Sequence, residues 1–142
     1  MSSVFHFSPG DADFINAASH AKEGLICNYK LKEYGFLTIA KDKEILGIAG
    51  VKLLNRFVAE FSFVADVVNI RKYNKSLHKE VQRLLNKFFT NSTYKRFQVW
   101  VDVGIPERTK WVERLGFERD ATIIGVGEFG QDQYLYSKIV ER

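Results

Sequence analysis

A chain of 142 residues that is 46% hydrophobic and 14% aromatic has the size and apolar content of one compact domain spanning 1–142, and these figures exclude intrinsic disorder. With 12 Phe, 6 Tyr and 2 Trp it can bury roughly two-thirds of its unfolded surface without disulfides or a structural metal. Lys and Arg number 21 against 17 Asp and Glu, so the formal charge of +4 favours an anionic group as partner but falls short of the basic tracts of a dedicated nucleic-acid binder, which makes nucleic acid the least favoured partner.

In chain order, Val4 to Phe7 reads as a short strand, and Ser8-Pro9-Gly10-Asp11 as a turn able to cap a helix with Phe14, Ile15 and Ala18 on its apolar face. A second short helix is expected from Leu25 to Leu31. From Tyr34 the period changes: FLTIA, the polar turn KDKE and ILGIAGVKLL predict a β-hairpin over Gly35 to Leu54. The strand after it, Phe57 to about Val68, alternates, with Glu60 and Asp66 on one face. Six residues at about 3.3 Å each hold those acids about 20 Å apart, so they form no carboxylate pair.

Tyr73, Leu77, Val81, Leu84, Leu85 and Phe88 then form the stripe of one long amphipathic helix. RFQVWVDV, Arg96 to Val103, is a strand; Pro106 to Leu115 is a short helix stopped by Gly116. ATIIGVG and QYLYSKIV close the chain as two strands. The result is a mixed α/β arrangement in which a long helix links an antiparallel meander to a strand returning beside it.

Cys27, between apolar neighbours, reads as a core thiol in a reducing, cytoplasmic compartment. His6, His20 and His78 stand far apart, so no metal site is expected. No apolar run approaches the roughly 20 residues needed to cross a bilayer, and the first residues do not read as a secretory signal.

This order, with WVERLGFERD (Trp111 to Asp120) followed by QYLYSKI, resembles the GNAT superfamily of N-acetyltransferases over nearly the whole chain. The resemblance implies a GNAT-like, mostly antiparallel central sheet flanked by helices, acetyl-CoA as cosubstrate, no metal, and direct acyl transfer to the primary amine of a small molecule or protein. It also implies a pyrophosphate-binding segment between the meander's last strand and the long helix, where the sequence is VVNIRKYNKSLHKEV. Backbone amides near Val67 and Val68 are then expected to align the pantetheine arm. Arg71, Lys72, Asn74, Lys75 and Ser76 are expected to hold the phosphates at the positive end of the helix. Spaced glycines usual in that segment are missing, and two registers are readable: Tyr73 through His78 occupy the segment, or the helix starts nearer Arg71 and the loop shifts to Asn69 through Lys72.

The superfamily's catalytic tyrosine, four residues before the glycine of leucine-glycine-phenylalanine, is Val112 here, and an asparagine common near the start of that helix is Ile105. Glu60 and Asp66 are the best placed candidates for the general base, with Asp102 behind them. Tyr134 and Tyr136 are substitute acids.

Similar losses, a valine-tryptophan-valine strand (Val99-Trp100-Val101) and an aromatic-rich closing hairpin also resemble GNAT-like proteins of short-tailed bacteriophages, some of them internal virion or assembly proteins. That resemblance implies an alternative: a catalytically degenerate binding or assembly protein with phage virion or assembly partners, located in host cytoplasm or virion. A third reading, a nucleic-acid accessory domain using Arg71, Lys72, Lys75 and Lys79, stands behind both.

Overall fold

The computed structural model describes residues 2–6, 34–42, 44–66 and 68–141. Within them lie β1 (Ser2–His6), β2 (Tyr34–Lys41), β3 (Glu44–Leu53), β4 (Val58–Ala65), α1 (Asn69–Asn91), β5 (Arg96–Asp102), α2 (Pro106–Arg114), β6 (Glu118–Ile123) and β7 (Gln133–Ile139). The helices predicted around Phe14 and across Leu25 to Leu31, together with His20, Cys27 and Val67, lie outside the described residues. The chain divides into two compact units, Met1–Lys52 with Ser62–Thr90 and Leu53–Phe61 with Asn91–Arg142.

In the first unit, β1 pairs antiparallel with β2, and β2 with β3. Asp42 turns the hairpin with φ +51, a left-handed conformation that a short polar side chain tolerates. Between Ile39 and Ala40 the register slips, leaving Leu46 as an extra residue on β3. Such a bulge bends the strand and re-aims its carbonyls. The carbonyl of Leu46 accepts the Asp66 backbone N–H at 2.9 Å, and that of Ile45 accepts the Asn69 side-chain amide at 3.0 Å. The bulge thus anchors the point where β4 gives way to α1. Next to it, Gly47 has no room for a side chain: a Cβ would overlap the Phe63 ring and stand 2.9 Å from the Val64 carbonyl oxygen.

Helix α1 sorts its residues by four-residue rows, the natural ridges of a helix surface. Leu77, Val81, Leu85 and Phe89 form the buried row, while Lys75, Lys79, Arg83 and Lys87 form an exposed one. The helix is not continuous in geometry, because Tyr73 has φ −122 and ψ 24. It therefore begins at Asn69, ahead of the Arg71 start readable in the sequence, so that Asn69 to Lys72 are helical rather than a loop, and its second part follows Tyr73.

In the second unit, the start of β4 runs parallel to β5, a pairing that requires a crossover connection, here α1. Antiparallel pairing then joins β5 to β7 and β7 to β6. Phe61 stacks on Phe97 with ring centroids 5.6 Å apart and meets the edge of Phe117 at 6.5 Å. Helix α2 ends as predicted at Gly116, whose φ of +101 suits a residue without Cβ. Gly116 N–H donates to Glu113 O at 3.0 Å and Phe117 N–H to Val112 O at 3.3 Å, the bonding pattern of a Schellman cap. Strand β6 is shifted at both ends from the prediction: it covers ERDATI, not ATIIGVG, and Ile124 to Gly127 belong to the turn. Gly125 N–H bonds the Asp132 carboxylate at 2.9 Å there, which ends the strand's ladder early.

Candidate active site

The segment from β4 into α1 is organised by Asp66. The alternation that places Asp66 on one face with Glu60 stops at Ala65, and the Asp66 side chain is fully buried. Its Oδ1 accepts the backbone N–H groups of Val68 at 2.9 Å and Asn69 at 2.8 Å. These are orphan donors of a helix start, so Asp66 caps α1. The Val68 amide, expected to face a pantetheine arm, is engaged by that cap, and the Val68 side chain is exposed.

Four cations gather where α1 begins. Arg71, Lys72 and Lys75 are exposed, and no acidic residue lies in the first turn. Lys41, at the end of β2, donates to Ser76 Oγ at 2.7 Å and lies 5.4 Å from the centroid of the Tyr73 ring, while Lys72 lies 5.0 Å from that centroid on its own account. Tyr73 OH reaches Asp42 at 3.5 Å. The Lys72 ammonium is held above its ordinary value, first by its hydrogen-bonding interaction with Tyr73 and then by the charges of Tyr73 and Glu44. Asn74, Lys75 and Ser76 open the part of the helix that follows the Tyr73 kink, where first-turn amides and the macrodipole favour an anion. In charge and donor chemistry this set fits a pyrophosphate, with cationic side chains in place of glycine amides. Lys41 is the member that the sequence reading missed, because nothing local shows that the hairpin end meets the helix start.

Glu60 is built into a different arrangement, on the part of β4 that pairs with β5. Its register partner is Gln98. Glu60 Oε1 accepts Gln98 Nε2 at 3.0 Å and Trp100 Nε1 at 2.7 Å. Gln98 is oriented in turn by Arg96, whose Nε donates to its Oε1 at 3.2 Å. Both donors to Glu60 converge on one oxygen of a half-buried carboxylate, and Oε2 makes no hydrogen bond among the described residues. A carboxylate fixed by neutral donors on one oxygen presents the other in a set direction, as a general base requires. Gln98 and Trp100 stand two apart on one strand face, but only the parallel register aims them at Glu60.

The remaining candidates are tied into the framework. Asp102 accepts Gln133 Nε2 at 2.8 Å and Gln131 Nε2 at 3.3 Å, and pairs with Arg108 at 3.6 Å. Tyr136 is completely buried; its hydroxyl accepts Arg119 Nη2 at 3.0 Å and donates to Glu113 at 3.4 Å. The Arg119 guanidinium lies 3.7 Å above the half-buried Tyr134 ring and is held above its ordinary pKa first by its hydrogen bond with Tyr136. Val112 is buried in α2 and offers no proton. Among the described residues no cluster of three or more His, Cys, Asp or Glu could hold a metal, and no helix is long and apolar enough to cross a membrane.

No protein-family model matches the chain. No curated protein matches it in sequence. Solved structures do match in shape. A chimera of the Vibrio cholerae spermidine N-acetyltransferase SpeG and hSSAT superposes with a TM-score of 0.73 at 15% identity, covering 97% of this chain and 95% of that one. A mutant of the same Vibrio cholerae enzyme gives 0.71 at 15% identity over 96% and 94% of the two chains. The Vibrio cholerae spermidine/spermine N-acetyltransferase SpeG in complex with manganese ions gives 0.71 at 15% identity over 97% and 92%. At that identity the likeness is one of fold: the chain adopts the mixed α/β, mostly antiparallel architecture of the GNAT N-acetyltransferases.

Proposed function

We propose that the chain is an N-acyltransferase that passes an acetyl group from acetyl-CoA directly to the primary amine of a small molecule. The observation that carries this reading is Glu60, a carboxylate held through one oxygen by Trp100 and Gln98 with the other left to act, on a fold shared with spermidine N-acetyltransferases. Acetyl-CoA supplies an activated thioester. Glu60 accepts the proton that the amine loses as its N–C bond to the acetyl group forms and the thioester C–S bond breaks. The departing sulfur is protonated from water, since the position of the superfamily's tyrosine is the apolar Val112. Asp66 is set aside as a base because its Oδ1 already serves two backbone amides. Arg71, Lys72, Asn74, Lys75 and Ser76 hold the pyrophosphate, and no residue of the protein need act as nucleophile.

Calorimetric titration with acetyl-CoA, followed by mass detection of acetylated product from a panel of small amines, tests the reading. Binding that weakens at least about tenfold in Lys72→Glu/Lys75→Glu supports the phosphate site, since one unit in log affinity is about 1.4 kcal/mol. No heat at millimolar acetyl-CoA overturns it.

A second reading, a degenerate GNAT-fold binding or assembly component such as a phage virion protein, is favoured by the buried Val112 and by the Asp66 cap, which engages the Val68 and Asn69 amides. It expects neither acetyl-CoA binding nor product. A stable complex with a virion or assembly protein is its positive sign.

A further inference from the structure

The charge of this protein is gathered on one helix. Between Asn69 and Asn91, Arg71, Lys72, Lys75, Lys79, Arg83 and Lys87 stand against the single acid Glu80, six cations less one anion, for a net +5. The whole chain carries +4, so everything outside α1 is close to neutral. Lys75, Lys79, Arg83 and Lys87 follow one another at four-residue intervals, along one ridge with a charge about every 6 Å over about 18 Å. All four are exposed. Arg83 pairs with Glu80, whereas Lys75, Lys79 and Lys87 make no ion pair among the described residues.

The neighbouring row supplies polar side chains, Asn74, Gln82 and Asn86, all exposed, with the half-buried His78 between the first two. A shallow groove runs between the two rows, lined by Lys79, Gln82, Arg83, Asn86, Lys87 and Thr90. We propose that the part of this face beyond the cofactor segment, Lys79, Arg83 and Lys87 with Gln82 and Asn86, docks the phosphodiester backbone of double-helical nucleic acid, with the cations neutralising successive phosphates and the amides hydrogen-bonding phosphate and sugar oxygens. Backbone binding of this kind uses Lys and Arg with Asn and Gln as helpers and needs no base-specific contact.

The composition of the face separates this partner from other polyanions. An amphipathic helix that lies in a membrane surface needs apolar side chains beside its cations, but Leu77, Val81, Leu85 and Phe89 are buried in the protein. A single-stranded ligand requires aromatic platforms, and the exposed side chains of the two rows include none, the one aromatic among them, His78, being half-buried. A chain-wide +4, which makes nucleic acid the least favoured partner on composition, averages away a charge that the helix concentrates.

Fluorescence anisotropy with a labelled 20-base-pair DNA duplex and the full chain measures this. The expected dissociation constant is about 10⁻⁴–10⁻⁶ M near physiological salt, with a loss of roughly 40-fold between 50 and 200 mM salt for three phosphate contacts. Lys79→Glu/Lys87→Glu should lower duplex affinity at least about tenfold and flatten the salt slope by about two, with Lys79→Gln/Lys87→Gln intermediate. Both variants keep wild-type acetyl-CoA binding, because neither lysine belongs to the proposed cofactor site, and circular dichroism should show an unchanged fold. No duplex binding at 50 mM salt, or equal binding by wild type and variants, overturns the proposal. So does lysine-dependent binding to phosphatidylserine vesicles or polyglutamate without duplex binding.

Discussion

Glu60 and Asp66, six residues apart, carry the same functional group and meet opposite fates. Glu60 is held by side chains on one oxygen only, whereas Asp66 is fully buried on two backbone amides. Glu60→Gln keeps the size and removes the proposed base, so kcat for the proposed amine acetylation should fall by about 10²-fold or more while acetyl-CoA affinity is unchanged; steady-state kinetics beside calorimetry check this. Asp66→Ala should cost about 1–2 kcal/mol in urea unfolding through loss of the helix cap, and Asp66→Asn, which can still cap, should cost less and keep most activity. The sequence singles out both acids by alternation along one strand. Strand alternation assumes that the strand continues, and it ends at Ala65, which is why their difference was invisible.

At the scale of the element, the end of α2 was the most legible feature. Leucine-glycine-phenylalanine at 115–117 encodes both the left-handed residue and the aromatic that packs behind it, and Gly116 and Phe117 do both. A Cβ at Gly116 meets only the Lys138 side chain, 3.5 Å away, so the cost of Gly116→Ala is almost entirely that of the backbone dihedral. That cost is about 1–2 kcal/mol, read as a lower urea midpoint with unchanged slope. The start of α1 was less legible, since Asp66 and Asn69, which form and receive its cap, are anchored to carbonyls that the β3 bulge brings from elsewhere in the sequence, and nothing local marks the kink at Tyr73. No local pattern announces a bulge between apolar residues such as Ile45, Leu46 and Gly47.

Across the molecule, acid stability gathers where three strands of the second unit are tied together. Asp120 on β6 is held below its ordinary carboxylate value, first by the Ser137 hydroxyl of β7 and then by Arg96 of β5, whose Nη2 lies at 2.8 Å. Because the folded value is depressed below 3.8, the ion pair's contribution is present above about that pH and lost as pH falls further. The site is largely open to water, so the contribution is at most about 1 kcal/mol. Asp120→Asn should remove this part of the acid dependence, measured as urea midpoints between pH 6 and 2.5. Fold class followed from element order because periods of two and 3.6 residues mark strands and helices without knowledge of partners. Site geometry did not, because it depends on register, as with Gln98 and Trp100 against Glu60.

The contact between Gly47 and the Phe63 ring also constrains how this sequence can change over time. The space for one side chain is shared between two positions sixteen residues apart, so enlarging residue 47 first produces an overlap, while shrinking residue 63 first opens room for it. Substitution here has a direction: a lineage leaves the present pair through position 63 and returns to it through position 47.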